Sequence, residues 1–341
     1  KEQNIKTYNY KPYYNSLKNV DYDYILLAYT DKQTCDEVAK KLVELDIKEE
    51  KIVKPYCISW EERMFRTTYQ DFLSLNKPFE GLVFGMSYSR FAFLPHLFEK
   101  SFFKFSLGGV DLFTQRQWLK NLITKHKNIL KSLKYIVIDL PYYIFNWDIS
   151  HSGQIYYRML YFDEFNDYRD FGKTEIGQKY IKNYRILKDM VGKNYEGNSS
   201  SFADNSMFVE RVFREPKDKI VFEPSKIWTK MHPETIKDNI EIFKEFIDLI
   251  KNFNPDIKIA AVIYPYTKGF LEYNKEHINK LKKEFYNVII KTCPDISIYD
   301  FINDSKYKFE NSYFKDPTHF NTKGAEYFSK ILNDEFEGSF Y

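Results

Sequence analysis

The chain has 341 residues, of which 51 are Lys or Arg and 48 are Asp or Glu, so its formal net charge is only +3. This length suits one large α/β domain with a smaller companion. The balanced charge gives no electrostatic footprint for nucleic acid, so we expect no nucleic-acid partner.

The cysteines indicate a reducing compartment, and the hydropathy indicates no membrane span. Cys35, Cys57 and Cys293 are widely spaced and form neither a disulfide framework nor a metal-ligand cluster. No run approaches the ~20 consecutive apolar residues that cross a bilayer, so we expect no transmembrane segment. We therefore expect a cytoplasmic protein, and a signal or anchor removed ahead of Lys1 stays open.

The first segment predicts a small strand–helix–strand unit. Residues 22–29 (YDYILLAY) are typical of a buried strand, 34–47 carry apolar residues at helical spacing, and 50–53 are extended again. This pattern predicts a Rossmann-like βαβ unit within residues 1–60. The first glycine of the chain is Gly81. The unit therefore lacks the glycine-rich turn of a dinucleotide site, and we expect no cofactor.

From residue 78 onward, apolar strands alternate with amphipathic helices. This alternation predicts a three-layer α/β/α domain over 78–341 with a five-stranded, mostly parallel sheet. Residues 149–233 interrupt the pattern as an insertion, and whether it is a lid, a dimer contact or a glycan platform stays open. The predicted strands are 81–85, 102–106, 135–140, 257–264 and 296–301, and the predicted long helices are 112–133, 234–253 and 271–292.

Candidate catalytic residues follow three of these strands. In an open parallel sheet, ligands bind beyond the carboxyl ends of the strands. The first strand runs into GMSYS and places Ser87 at a strand-to-helix junction, where helix N–H groups can stabilise an anion. The second ends in SLGGVD, whose glycines let backbone N–H groups approach a ligand. The last leads through a loop to Asp316 and His319, which are three residues apart.

These blocks resemble those of the SGNH (GDSL-like) hydrolase superfamily. FGMSYS after the first strand, LGGVD after the second and DPTHFNTKGA before the last helix are similar to that family's Gly-x-Ser and Asp-x-x-His blocks in order and position. The resemblance spans residues 79–336 apart from the insertion. It implies an SGNH/flavodoxin-like sheet.

The resemblance also implies roles for individual residues. Ser87 would be the nucleophile, His319 its general base, and Asp316 the group that orients His319 and stabilises its imidazolium. A serine hydroxyl needs such a base to take its proton, and an Asp-x-x-His turn can supply one. The backbone N–H groups of Ser87 and Gly109 would form the oxyanion hole. Ser89 is the reserve nucleophile.

The sequence departs from the family pattern around these blocks. Met86 stands where the family has an Asp before the serine, and Phe91 stands where it has a later glycine. The run DLPYYIFNWD replaces the family's Gly-x-Asn-Asp block. We assign Asn146 to the oxyanion hole, with the hydroxyl of Tyr142 or Tyr143 as the alternative donor.

The function implied by the resemblance is that of a serine esterase or O-acyltransferase. Its partner would be a small-molecule or glycan substrate, joined by an acyl donor where transfer occurs, and a bacterial surface glycan is the expected class. Trp147, Tyr142 and Tyr143 are assigned to substrate binding, because aromatic rings offer sugars a flat apolar face. The remaining histidines pair with no carboxylate at metal-ligand spacing, so we expect no metal. They are His96, His126, His151, His232 and His277.

Structural alternatives remain open for the same residues. Ser87 could simply begin a helix, and Asp316 with His319 could simply close a turn. Met86 and the missing third block also fit a catalytically inert SGNH-like carbohydrate-binding module. A nucleotide-sugar-binding protein built on the N-terminal unit is a third hypothesis, which the glycine-free segment weakens.

Overall fold

A computed structural model describes seven stretches of the chain. The chain divides into two compact units, one formed by residues 1–62 and 155–198 and the other by residues 63–154 and 199–341. Within the predicted insertion, residues 155–198 therefore group with the N-terminal unit. Cys57 lies outside the described residues. The described stretches are 21–27, 32–53, 68–75, 77–152, 165–191, 231–302 and 306–341.

The first unit contains the predicted βαβ element. Strand β1 (Ile25–Leu26) pairs in parallel with β2 (Ile52–Val53), and helix α1 (Lys32–Glu44) connects them. Val38 and Leu42 of α1 lie one turn apart and are buried against these strands, which is the packing that their helical spacing predicts. Helix α4 (Glu175–Val191) belongs to the same unit. The predicted βαβ unit is confirmed.

The second unit is built on a five-stranded sheet in which every pair is parallel. Its strands are β3 (Gly81–Gly85), β4 (Phe102–Ser106), β5 (Tyr135–Asp139), β6 (Lys258–Ile263) and β7 (Ser297–Asp300). Their spatial order is β4-β3-β5-β6-β7. All residues of β3, β4 and β5 are buried, because helices cover both faces; this burial explains why these strands are mostly apolar, although β4 also contains Lys104. The predicted α/β fold class is confirmed.

The helices of this unit differ from the prediction at two places. The helix predicted over 112–133 ends at Lys125, because His126 leaves helical geometry. The helix predicted over 271–292 is two helices, because Asn274 donates its side-chain amide to the carbonyl of Phe270 and ends the first of them. The helices are α2 (Ser87–Ala92), α3 (Leu112–Lys125), α5 (Ile236–Phe253), α6 (Lys268–Tyr273), α7 (Lys275–Thr292) and α8 (Thr322–Ser339).

The strand order determines where a ligand can bind. From β3 the chain crosses to β4 on one side of the sheet, and later strands add on the other side of β3, starting with β5. The carboxyl ends of β3 and β5 therefore flank the topological switch point, where open α/β sheets bind ligands. Ser87 lies two residues after the end of β3, so the fold brings the candidate nucleophile to this edge.

Two side chains and one glycine determine how α3 and α8 begin and pack. The Asp111 side chain accepts a hydrogen bond from the N–H of Thr114 and caps α3, and the Asn321 side chain caps α8 through Gly324. A Cβ atom at Gly324 would lie 2.0 Å from the carbonyl oxygen of Tyr313, so only glycine lets α8 pack this closely. Among the described residues, no helix is long and apolar enough to span a membrane.

Candidate active site

Ser87, His319 and Asp316 form a continuous hydrogen-bonded chain. Nε2 of His319 lies 2.7 Å from Oγ of Ser87. Nδ1 of the same ring lies 2.9 Å from Oδ1 and 3.0 Å from Oδ2 of Asp316. With its proton on Nδ1, the ring presents the lone pair of Nε2 to the serine hydroxyl. The three predicted residues thus meet in a geometry that can take a proton from Ser87.

A tight antiparallel hairpin presents Asp316 and His319. Strand β8 (Phe314–Asp316) pairs with β9 (His319–Phe320), and Oδ1 of Asp316 accepts hydrogen bonds from the N–H groups of Thr318 (3.0 Å) and His319 (2.9 Å). The carbonyl of Pro317 accepts a hydrogen bond from the N–H of Thr267, which ties the turn to the start of α6. The aspartate therefore shapes the turn and orients the histidine with the same carboxylate.

The pKa of Asp316 is lower than that of an ordinary aspartate. Partial burial raises this pKa, but the hydrogen bond and charge of His319 outweigh that effect, helped by the N–H of Thr318 and the charge of Lys315. Asp316 is therefore the ionised partner that a histidine base requires.

Two aromatic rings hold the imidazole of His319. The ring of Tyr88 stacks on it with 5.2 Å between centroids and 19° between planes, and Phe91 meets it edge-on at 5.5 Å. Both aromatic residues belong to α2, the helix that begins with the candidate nucleophile. The helix therefore also fixes the orientation of the base.

A positively charged group lies beside this aromatic wall. Nζ of Lys315 is 3.0 Å from the centroid of the Phe91 ring, a cation–π contact. Burial lowers the pKa of Lys315, the charge of Asp316 opposes that change and the charge of Arg90 adds to it, so that the pKa is about 8.

A buried carboxylate that the sequence analysis missed anchors the nucleophile turn. Asp139 closes β5 and is fully buried. Its Oδ2 accepts hydrogen bonds from the N–H groups of Met86 (3.0 Å) and Ser89 (2.9 Å), which flank Ser87. Burial raises the pKa of Asp139 to about 7, although the hydrogen bonds from Ser89 and Met86 oppose that rise. The signal for it in the sequence is a single acid at the carboxyl end of an apolar strand, YIVIDL.

A buried lysine holds the opposite end of α2. Nζ of Lys104 donates hydrogen bonds to the carbonyl oxygens of Arg90 (2.9 Å) and Phe93 (2.8 Å). The short helix thus has a hydrogen-bond acceptor, Asp139, at its N-terminus and a cation at its C-terminus, where the helix dipole favours positive charge. This double anchoring keeps Ser87 in one position relative to the sheet.

The glycine before the nucleophile turn is required by close packing. A Cβ atom at Gly85 would lie 2.2 Å from Oγ of Ser89 and 2.5 Å from Cβ of Asp139. Any larger residue would displace the carboxylate from the turn. Steric contact therefore explains the glycine of the Gly-x-Ser block.

The reserve nucleophile, Ser89, faces the interior. Its side chain is fully buried, and its Oγ contacts the carbonyl oxygen of Met86 at 3.2 Å and Oγ of Ser106 at 2.8 Å. No hydrogen bond joins it to His319 within the described part of the chain. The geometry favours Ser87 over Ser89.

The assigned oxyanion-hole residues follow the three neighbouring strands. Ser87 begins α2 after β3, Gly109 lies in the turn after β4 with φ 69°, and Asn146 lies beyond β5. Because β4 and β5 flank β3, all three stand at the same sheet edge. The carbonyl of Gly109 accepts a hydrogen bond from Nε1 of Trp147 at 3.4 Å, which joins two of these segments. Their role as oxyanion donors stays a prediction.

The aromatic residues assigned to substrate binding are largely buried. Tyr142, Tyr143 and Trp147 are 4, 5 and 5% exposed. The hydroxyl of Tyr142 donates to Oδ2 of Asp300 at 2.5 Å, and the hydroxyls of Tyr143 and Tyr88 are hydrogen-bonded at 2.9 Å. In this structure they therefore support the site from within, and substrate contact stays a prediction.

Two histidines do stand close to a carboxylate, contrary to the sequence analysis. Nδ1 of His232 lies 3.4 Å and Nδ1 of His151 lies 3.7 Å from Oε1 of Glu234. The prediction that these histidines pair with no carboxylate is wrong, because the fold brings His151 to the other two residues from a distant part of the chain. These residues could hold a metal ion.

Comparisons with known proteins leave the family open. No family model matches the chain, and no curated protein matches it. One similar solved structure, from Streptococcus pneumonia, is that of a "putative platelet activating factor"; it is 12% identical, with a TM-score of 0.40, and the match covers 88% of this chain and 98% of the other. A likeness this low carries no argument about this chain. Membership in the SGNH superfamily stays a prediction from the motifs.

Proposed function

We propose that the protein is a serine esterase or O-acyltransferase that forms an acyl-enzyme on Ser87. The observation that carries the proposal is the chain of contacts from Oγ of Ser87 to Nε2 of His319 (2.7 Å) and from Nδ1 to the carboxylate of Asp316 (2.9 Å). A nucleophile, a base and an orienting acid at these distances are the recurring arrangement of acyl-transfer enzymes.

The first half-reaction would acylate the serine. Oγ of Ser87 attacks the ester carbonyl carbon while Nε2 of His319 takes the hydroxyl proton. The tetrahedral intermediate collapses as the same nitrogen returns that proton to the departing alkoxide, which leaves as an alcohol. Asp316 stabilises the imidazolium throughout, as its lowered pKa favours.

The second half-reaction decides between the two activities. His319 activates water in an esterase and a sugar hydroxyl in a transferase, and either oxygen attacks the acyl-serine. The products are a free acid or a new ester, and Ser87 regains its proton. We propose a small-molecule or bacterial glycan ester as substrate, with an acyl donor where transfer occurs. This choice rests on the resemblance of the motifs.

The compartment of this activity is a further part of the proposal. Cys293 is a free and buried thiol. The three cysteines of the sequence are too widely spaced for a disulfide framework, which suits a reducing environment, so we propose the cytoplasm.

Covalent labelling tests the nucleophile directly. Wild type, Ser87→Ala and Ser89→Ala are incubated with a fluorophosphonate probe and examined by intact mass, with circular dichroism to compare folding. We expect one adduct on wild type and on Ser89→Ala, and none on Ser87→Ala. Ser89→Ala is the matched control, since it removes a neighbouring hydroxyl that faces away from His319.

The opposite results have clear meanings. An adduct on folded Ser87→Ala would contradict the assignment of the nucleophile. Absence of labelling on folded wild type, together with no turnover of p-nitrophenyl acetate, would favour the inert carbohydrate-binding module. If wild type does turn over p-nitrophenyl acetate, oligosaccharide acceptors are added to the reaction. An acylated oligosaccharide then indicates transfer, whereas release of the free acid alone indicates hydrolysis.

A further inference from the structure

A second cluster of chemically competent side chains lies outside the triad. His151 ends the 3₁₀ turn Ile149–His151, and His232 directly precedes the 3₁₀ turn Pro233–Thr235, which contains Glu234. The potential ligand atoms of the three side chains all lie within 4.8 Å of one another. No step of the proposed acyl chemistry uses them.

The spacing of the ligand atoms suits a tetrahedral metal ion. Zinc binds histidine nitrogen and carboxylate oxygen at about 2.0–2.2 Å, so ligand atoms in a tetrahedral site stand about 3.3–3.5 Å apart. The distances from Oε1 of Glu234 to Nδ1 of His232 and of His151 are 3.4 and 3.7 Å. Movements of a few tenths of an ångström would bring these two pairs to the separation that a bound ion requires. The two histidine nitrogens lie within 4.8 Å of each other and would have to approach by up to about 1.3 Å.

The donor set selects the class of ion. Two imidazoles and one carboxylate suit Zn²⁺, Co²⁺ and Ni²⁺, whereas Mg²⁺ and Ca²⁺ prefer oxygen ligands throughout. Three protein ligands leave one tetrahedral position for a water molecule or another donor. His151 and Glu234 are exposed, so an ion can reach the cluster from solvent.

Hydrogen bonds join the two chain segments that carry the residues of the cluster. The N–H of His232 donates to the carbonyl oxygen of Asn146 at 2.7 Å. The side-chain amide of Asn239, on α5, donates to the carbonyl of Trp147 and to Oγ1 of Thr235, each at 3.2 Å. The turn that carries Glu234 is therefore joined to the segment that leads to His151.

The turn that carries His151 is ordered by two buried acids. Oδ1 of Asp148 accepts the N–H of Ser150 at 2.8 Å, and Oδ2 of Asp111 accepts the N–H of Ile149 at 3.0 Å. Both carboxylates are fully buried. The backbone is thus fixed up to the residue before the ligand, so little ordering remains for metal binding to impose.

We infer that His151, His232 and Glu234 bind one divalent transition-metal ion of the zinc class. The ion joins the segment after β5, which carries Asn146 and Trp147, to the start of α5. The site is independent of the proposed acyl chemistry: a protein with an inert Ser87 would still bind the ion.

Metal titration of the whole, tag-free chain tests this inference. After treatment with a chelator, the protein is titrated with Co²⁺ in an absorption spectrometer and with Zn²⁺ in a calorimeter. We expect one equivalent of each ion, with the intense visible bands of tetrahedral Co²⁺, and displacement of Co²⁺ by Zn²⁺. Zn²⁺ should also raise the unfolding temperature, because it binds only the folded site.

Three variants separate this site from adventitious binding. His232→Ala and Glu234→Gln should each weaken Zn²⁺ binding at least about 10-fold, since loss of a ligand costs no less than loss of an outer-shell partner, which costs roughly 10–100-fold. His277→Ala, which alters an exposed histidine on α7, should bind like wild type. Glu234→Gln is nearly isosteric, so it keeps the test valid if His232→Ala does not fold.

Either of two results would overturn the inference. One is that wild type shows no saturable binding when Zn²⁺ is present in ~100-fold excess over protein. A site that binds Zn²⁺ would then raise the free energy of unfolding measurably. The other is binding that Glu234→Gln and His277→Ala share unchanged with wild type, which would move the ion elsewhere on the surface.

Discussion

The β8–β9 turn and the carboxyl end of β5 each bring an aspartate to the candidate active site, in opposite environments. The side chain of Asp316 is 40% exposed and faces an imidazole, and its pKa lies below the ordinary range. Asp139 is 0% exposed and accepts hydrogen bonds from backbone N–H groups, and burial raises its pKa to about 7. The same residue type therefore has opposite pKa shifts on the two sides of the nucleophile.

This difference separates a catalytic charge from a structural acceptor. Asp316 must be ionised to stabilise an imidazolium, and its titratable partner and solvent contact favour that state. Asp139 needs only an oxygen that accepts the N–H groups of Met86 and Ser89. Its Oδ1 is buried and has no hydrogen-bond partner among the described residues, so ionisation gains little there. An amide could therefore replace the carboxyl group of Asp139, but not that of Asp316.

The strongest test of this contrast is Asp316→Asn. We expect turnover of p-nitrophenyl acetate to fall by about 10³–10⁴-fold, because an amide favours the wrong imidazole tautomer and cannot stabilise the imidazolium. Asp139→Asn is the matched control and should lose less than about tenfold, since its amide oxygen can still accept both N–H groups. Equal losses in the two variants would remove the distinction between them.

The sheet and the pair of Asp316 with His319 could be predicted because their signals are local. Strands buried on both faces are mostly apolar runs, and the turn DPTH carries its acid and base within four residues. Ser87 lies far from this turn in the chain, and its assignment needed its place after the first strand together with the family resemblance. Asp139 could not be assigned in this way, because its partners are backbone N–H groups that no residue pattern reveals. Proximity of His151 to Glu234 depends on how distant turns pack. The break at Asn274 depends on one side-chain hydrogen bond inside an otherwise helical pattern.

A smaller effect is expected when the acceptor on β5 is removed altogether. Asp139→Ala leaves the N–H groups of Met86 and Ser89 without their partner, so the turn that carries Ser87 loses its anchor. Loss of these buried hydrogen bonds should lower the free energy of unfolding by about 1–3 kcal/mol. Labelling of Ser87 should slow about 10–100-fold, because a displaced nucleophile no longer aligns with its base.

The comparison with Asp139→Asn identifies the cause of that loss. The amide should restore most of the labelling rate and stability if hydrogen-bond acceptance is what the site requires. If Asn behaves like Ala while both proteins remain folded, the negative charge itself matters and the structural interpretation of Asp139 is wrong.

The last expected effect is a pH dependence of stability to which Asp139 contributes. Its pKa is about 7 in the folded protein, against 3.8 for an ordinary aspartate. Between these values the folded state holds a proton that the unfolded state has released. The free energy of unfolding therefore falls as pH rises through this window, by at most about 1.4 kcal/mol per pH unit, and levels off above pH 7.

Urea unfolding of wild type and Asp139→Asn across this pH range measures the effect. Asn binds no proton, so the stability of wild type relative to the variant should decline as pH rises from 4 towards 7. Asp316 shifts stability in the opposite sense, because its lowered pKa means that the free energy of unfolding falls as the solution is acidified. Wild type and Asp139→Asn share this contribution, so it cancels in the difference between their free energies of unfolding. If the difference in free energy of unfolding between wild type and Asp139→Asn stays constant with pH, the two backbone hydrogen bonds keep Asp139 ionised despite its burial. The acids on the two sides of Ser87 would then both be charged.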